Sequence, residues 1–463
     1  MFMRNKHWSK FHQYAVRVHF LHGPCRSIPP PVQRIVVTCL AQFAGSSLPL
    51  LPNLTGLVWG ESDIYSIINT TVPLIKYFAG PRVTTVSLFL VAWPMTVSAQ
   101  DALANLPNLC PNVTSFTAMF RPTFMDYSAE IGNIVRRWPN LRVLRSSALS
   151  QPIMNDLASR KTLNTLCANV NSLPTNVYLG QLPTMIQSFS LEGSNALHCI
   201  RYLQTLQGTP IHLRLLVGLD ITLPSEMYSL FQILPTRFDT TQLRSLAILF
   251  KSSFHSLLPL AFPLSEHLLE SLYPFSALVT LDLNAFCTSV LDDAMYERMA
   301  VAWPELKSLK IGAADESRGE PVASVGAVIA VLRSCPCLET LHVVFNGSIP
   351  PPRPVMRPHV DRGTPHGNSV EVGKEGEEER VEDGREATSP ARTWGVSNQH
   401  ITEIHVGHSL IVADRERLRD LVSCLRSVMP RLERIQSRKE PSGVADSWRT
   451  AQRLLLEDDV TCP

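Results

Sequence analysis

The sequence predicts an α/β solenoid, a right-handed horseshoe with one parallel β-sheet on its concave face and helices on its convex face. Three observations carry that prediction. A short phrase with apolar residues at relative positions 0, 3 and 5 recurs along the chain; its copies begin at residues 54, 83, 113, 141, 163, 186, 216, 243, 278, 306 and 338, so they follow one another at 22 to 35 residues. The stretches between copies carry apolar residues at three- and four-residue intervals and stop at proline.

The phrase is clearest in LPNLTGLVW (51–59), RVTTVSL (82–88), CPNVTSFTA (110–118), WPNLRVL (138–144), QLRSLAI (242–248), SALVTLDL (276–283), WPELKSLKI (303–311) and CPCLETLHVVFN (335–346). In the last of these Leu338, Leu341, Val343 and Asn346 are in full register. Weaker copies begin at Leu163, Ile186, Leu216, Ile401 and Leu432. This is the signature of leucine-rich repeats. Positions 3 and 5 alternate as in a strand and point into the solenoid, so positions 2, 4 and 6 face outward on the sheet.

VSAQDALANLPNLC, MDYSAEIGNIVRRWPN, DDAMYERMAVAWPE and VASVGAVIAVLRSCP, which lie between phrases, read as convex helices. One strand with one helix cannot bury its apolar face alone. Neighbours must therefore stack, and the stack curves because helices are wider than strands.

Four segments follow. Residues 1–50 form an N-terminal cap, 51–346 the repeats, 347–397 an insertion and 398–463 the last repeats with a C-terminal cap. The insertion holds IPPPRPV, GKEGEEERVEDGRE and a Ser-Pro at Ser389, a composition too poor in apolar residues to order itself. NQHITEIHVGHS then resumes the strand phrase, 410–428 reads as a periodic helix, and the stretch to Pro463 as a capping helix.

Composition narrows the function classes. Hydrophobic residues make up 45%, charged residues 18% and aromatics 7%, which suits a continuous core. Lys and Arg number 42 against 40 Asp and Glu, a net charge of +2, so nothing marks nucleic acid or an anionic membrane as the ligand. The 10 cysteines include no CxxC pair and read as reduced thiols, and the first 20 residues lack the apolar stretch of a secretory signal. Residues 83–100 are uncharged, but they are rich in Ser and Thr and broken by Pro94, which argues against a membrane span. The expected location is the cytoplasm or nucleus, where the sequons at Asn53, Asn69 and Asn112 carry no glycan.

No phosphate loop, dinucleotide fingerprint, HExxH or GxSxG elbow is present, so no enzyme, cofactor or catalytic residue is expected. Cys335, Cys337 and His342 are close in sequence, but the repeat frame puts Cys335 at a helix end and His342 on the outer sheet face. No metal site is expected there. Trp138 and Trp303 precede the proline of their phrases and read as core anchors. Position 4 holds Arg145, Asp220, Asp282, Lys310, His342 and His405, while Thr85, Ser115, Ser245, Thr280 and Ser308 occupy position 2. A floor of small residues with scattered charges suits recognition of a protein on the concave face. The two histidines fall close together if their strands are neighbours.

The phrases LLPNLTGLVW, GPRVTTVSLFL and LPNLCPNVTSF, with WSKFHQYAVRVHFL near the front, resemble fungal F-box proteins of the basidiomycete type over most of residues 8–346. In that family the segment resembling WSKFHQYAVRV follows the F-box, which docks on the adaptor of a cullin-based ubiquitin ligase, and the repeats hold the substrate. Here that segment starts at Trp8, which leaves no room before it for an F-box. The resemblance thus implies a substrate receptor whose F-box is missing from this chain, engaging the adaptor only if an F-box is encoded upstream. The alternative is a repeat scaffold that binds partners independently of a ligase.

Overall fold

The computed structural model describes residues 5–23, 30–44, 49–60, 72–90, 97–120, 128–147, 149–170, 182–206, 208–218, 222–251, 262–312, 320–350, 394–411, 414–437 and 444–457. Among the described residues fourteen strands follow one another in a single sheet. They are β1 (Phe20–Gly23), β2 (Gly56–Trp59), β3 (Thr85–Leu90), β4 (Ser115–Phe120), β5 (Val143–Ser146), β6 (Thr165–Asn169) and β7 (Ser188–Gly193). The array continues with β8 (His212–Gly218), β9 (Ser245–Lys251), β10 (Thr280–Leu283), β11 (Ser308–Ile311), β12 (Thr340–His342), β13 (Glu403–Gly407) and β14 (Arg434–Ser437). Each pairs in parallel with the strand before it, so sheet order equals chain order, as a solenoid requires.

The phrase explains the register. Position 3 lines up through Val86, Phe116, Leu144, Leu166, Phe189, Leu213, Leu246, Leu281, Leu309, Leu341 and Ile404, and all are buried. Position 5 buries Leu88, Leu191, Leu215, Ile248, Leu283, Ile311 and Val343 beside them. Burying a Leu, Ile or Phe side chain contributes about 1.5–3 kcal/mol, so this repeated pair is the main source of cohesion between turns. Just before each strand the carbonyl of position 1 accepts the next repeat's amides at positions 1 and 2. Thr84 accepts from Thr114 and Ser115, and Lys307 from Glu339 and Thr340.

That ladder corrects one register. Ile211 is the acceptor for Arg244 and Ser245, and Leu213 pairs with Leu246, so the weak phrase begins at Pro210 and not at Leu216. Leu216 is an outward residue of β8, and position 4 of this repeat is Arg214, not Asp220. Asp220 itself lies outside the described residues.

Helices occupy the convex side where the periodicity placed them, at Val97–Leu109, Ser128–Arg136, Asp293–Ala302 and Val325–Ser334. Asp292 caps the third of these by accepting from the Met295 amide, and Asp293 accepts from the Ser324 amide at 2.6 Å, which ties two consecutive repeats together. The helix expected over 410–428 starts only at Arg415, with Asp414 as its cap, because Leu410 is bridged to Asn346 in extended backbone.

β1 lies within the segment expected to be a cap, so the sheet already runs there. At the other end Gln452 of the helix Val444–Glu457 accepts from the Ile435 amide and donates to the Glu433 carbonyl, satisfying the outer edge of β14. The 351–393 part of the expected disordered insertion lies outside the described residues, as does Asn69.

Two glycines give a test of backbone strain. Gly60 has φ +100°, and a Cβ there would collide with the Phe89 carbonyl, whereas Gly395 has φ +68° with nothing within 4 Å. Gly60→Ala is expected to cost about 1–3 kcal/mol in denaturant unfolding, with Gly395→Ala costing less. Equal costs would show that the collision is relieved by movement.

Candidate partner-binding face

Because inward residues alternate with outward ones, each strand offers positions 2 and 4 to the concave surface. Position 2 is small along much of the sheet: Thr85, Ser115, Thr165, Ser188, Ser245, Thr280, Ser308 and Thr340 stand in register on successive strands, with Val143 and His212 as bulkier interruptions. Among these described position-2 residues the side chains other than His212 are short, so another chain can come close to the sheet.

Position 4 reads Arg145, Cys167, Ser190, Arg214, Ala247, Asp282, Lys310, His342 and His405 from β5 to β13. The structure therefore brings Arg145, Asp282, Lys310, His342 and His405 onto one row, as the repeat frame expected. It adds Arg214, which the misplaced Leu216 register had hidden. The pattern HLRLLVG does contain the signal, since Leu213 and Leu215 alternate around the arginine, but Pro210 stands where an aliphatic residue opens the other phrases. Among the described residues Arg145, Arg214 and Lys310 have no ion-pair partner, whereas Asp282 accepts a hydrogen bond from the Asn284 amide at 3.1 Å. At position 6 of β7, Glu192 is bridged by Lys251 of β9 at 2.5 Å.

His342 and His405 do meet. Their strands are neighbours, and the rings stack with centroids 4.8 Å apart and planes 23° from parallel. The His342 Nδ1 is buried without a hydrogen-bond partner, while the His405 Nδ1 accepts from the Gly407 amide at 3.3 Å. Burial, the neighbouring His405 and the Lys310 ammonium together push the His342 pKa down to about 4; burial also lowers that of His405, against the opposing pull of Glu403.

The sign of the linkage follows. His342 is held neutral in the folded chain, so its contribution to stability is complete above the ordinary histidine pKa near 6.5 and is lost as pH falls from there toward 4. We expect its ring protons not to titrate in NMR above about pH 5. Lys310→Met should move the midpoint upward; an unchanged midpoint would show that burial and His405 set it without the Lys310 charge.

The other expectations concern placement. Cys335 follows the helix Val325–Ser334 and donates to the Trp303 carbonyl at 3.3 Å, Cys337 is exposed, and His342 faces the concave side. Among the described residues no group of three or more His, Cys, Asp or Glu is arranged to hold a metal. Trp138 and Trp303 are buried core residues whose indole N–H groups donate to the carbonyls of Cys110 and Leu272. The sequon residues Asn53 and Asn112 donate to the Val16 and Pro81 carbonyls in the preceding repeats. No described helix is long and apolar enough to cross a membrane.

The consecutive parallel ladder, the alternating core and the convex helices define an α/β leucine-rich-repeat solenoid. No family model matches the chain, and no curated protein matches it in sequence. Among solved structures it is similar to the leucine-rich-repeat-containing protein LegL7 from Legionella pneumophila, at 18% identity and a TM-score of 0.39 over 68% of this chain and 96% of that one. It is also similar to the TLR13–ssRNA13 complex, at 12% identity and a TM-score of 0.34 over 88% of this chain, which spans about half (54%) of that one.

Proposed function

We propose that the chain is a non-catalytic binding protein whose concave sheet docks a protein partner. The observation that supports this is the position-4 row, where Arg145, Arg214 and Lys310 make no ion pair among the described residues and stand beside a floor of Ser and Thr. Charges left unpaired on an accessible, preformed sheet can be paired by a partner at little conformational cost.

The test uses the full chain expressed in its source cells. Thr280→Arg with Ser308→Arg fills the floor and should reduce recovery of the co-purifying protein about tenfold, while Val301→Arg on the exposed convex surface should leave it unchanged. Loss with the convex variant alone would overturn the reading. Thermal unfolding of each variant checks that the fold survives.

The finer reading makes this protein a substrate receptor of a cullin-based ubiquitin ligase. It is supported by the resemblance of residues 8–346 to F-box proteins with leucine-rich repeats. Mass spectrometry of proteins recovered with this chain, and with a version extended upstream, tests it. Adaptor and cullin appearing with the extended form would support the receptor reading; a stoichiometric partner without either would favour the ligase-independent scaffold.

A further inference from the structure

On β5 to β8 the position-4 row is Arg145, Cys167, Ser190 and Arg214, in consecutive register. With strands about 4.8 Å apart, the two arginine backbones are about 14 Å apart, a gap that two extended guanidinium side chains can close from opposite sides. Burial raises the Cys167 pKa, and the charges of Arg145 and Arg214, with hydrogen bonding from Ser190 and Arg145, oppose that rise, so both arginines bear on the thiol that their row encloses. Thr165 and Ser188 occupy position 2 of the two strands between the arginines. The carboxylates nearby are otherwise engaged. Glu192 is held by Lys251, and Asp282 stands two strands beyond Arg214, across Ala247, accepting from the Asn284 amide.

We propose that Arg145 and Arg214, with Ser190 and Cys167 between them, form an anion cradle that takes a carboxylate side chain from an acidic segment of the protein partner. The proposal rests on the docking reading above and names the chemistry of what docks. Two planar forks on one row give a charged donor set, the hydroxyl between them adds a third donor, and small neighbours let an extended chain approach. A neutral or basic segment would leave both guanidiniums unpaired against it.

Cys167 provides a local reporter. The same thiolate attacks iodoacetate and iodoacetamide, displacing iodide from each, so the ratio of the two rates at one cysteine cancels its acidity and reports the local preference for an anion. By mass spectrometry of the intact full chain, that ratio at Cys167 should exceed the ratio at the exposed Cys337 roughly fivefold, and Arg145→Gln with Arg214→Gln should bring the two together. A fluorescein-labelled Glu-Gly repeat peptide should bind with an affinity that falls with salt and drops about tenfold in the double variant, while a Gln-Gly peptide should not bind. Equal alkylation ratios in the unsubstituted chain, or equal binding of the two peptides, would overturn the cradle. If the double variant keeps full recovery of the cellular partner while Thr280→Arg with Ser308→Arg loses it, the docking reading stands and the cradle falls. If neither variant changes recovery, the docking reading itself falls.

Discussion

Trp138→Ala lowers the free energy of unfolding by about 3–5 kcal/mol, the range for removing a fully buried aromatic side chain. Trp138 sits at the start of its repeat phrase, completely buried, with its ring edge-on to Phe116 at 4.9 Å and its indole N–H donating to the Cys110 carbonyl at 2.7 Å. It therefore joins three elements: the end of one helix, the strand of the preceding repeat and the turn beneath it. Its own carbonyl is part of the same junction, because Arg160 donates to it and to the Val135 carbonyl at the helix C-terminus. Trp138→Phe keeps most of the apolar contact and leaves the Cys110 carbonyl unpaired, so it should cost less, about 1–3 kcal/mol. Urea unfolding of both variants decides the matter. Similar costs would mean that the indole hydrogen bond, and not the cavity, dominates.

Asn398→Ala is the second large effect, expected at about 3 kcal/mol or more because it strands several buried backbone groups at once. The Asn398 amide donates to the carbonyls of Pro336 and Leu338 at 3.3 and 3.0 Å, and its oxygen accepts from the amides of His400 and Ile401 at 2.9 and 3.0 Å. Asn398→Asp keeps the acceptor but sets a carboxylate against two carbonyls, so it should be at least as destabilising. In a solenoid each repeat contacts only its neighbours, so the damage should concentrate at the C-terminal repeats. Hydrogen exchange should accelerate in β13, β14 and the helix Arg415–Val428 while β4 to β8 stay protected. Uniform acceleration along the sheet would show that the array unfolds as one cooperative unit.

Asn398 also shows where sequence reasoning stops. It lies three residues before the Ile401 phrase, and nothing local marks it as different from the many other polar residues in turns. Its role appears only when the chain returns after residues 351–393 and sets it beside Pro336 and Leu338. Likewise, nothing in the order of residues says that Gln452 closes the edge of β14.

The fold class, the inward residues and most of the outward row were legible because one period repeats. Leu309 and Leu341 had to be buried, and Lys310 and His342 turned to the concave side, once each phrase was framed. The frame slipped only at Pro210. There a run of apolar residues permits two registers in the sequence, and Leu216 matches the phrase as well as the true start does. Pairing with β9 chose between them, since a shift of register would break the backbone ladder through Ile211 and Arg244.

By itself, then, the sequence determined the solenoid, because an apolar residue every second position in a strand and every third or fourth in a helix leaves few other ways to bury them. Only the tertiary structure decided which outward side chains share a surface. Arg145 and Arg214 are far apart along the chain, and parallel stacking brings them onto one row of the sheet; His342 and His405 are separated by more than sixty residues, and adjacent strands stack their rings. Proximity across strands is set by register, and register is an outcome of packing the whole array.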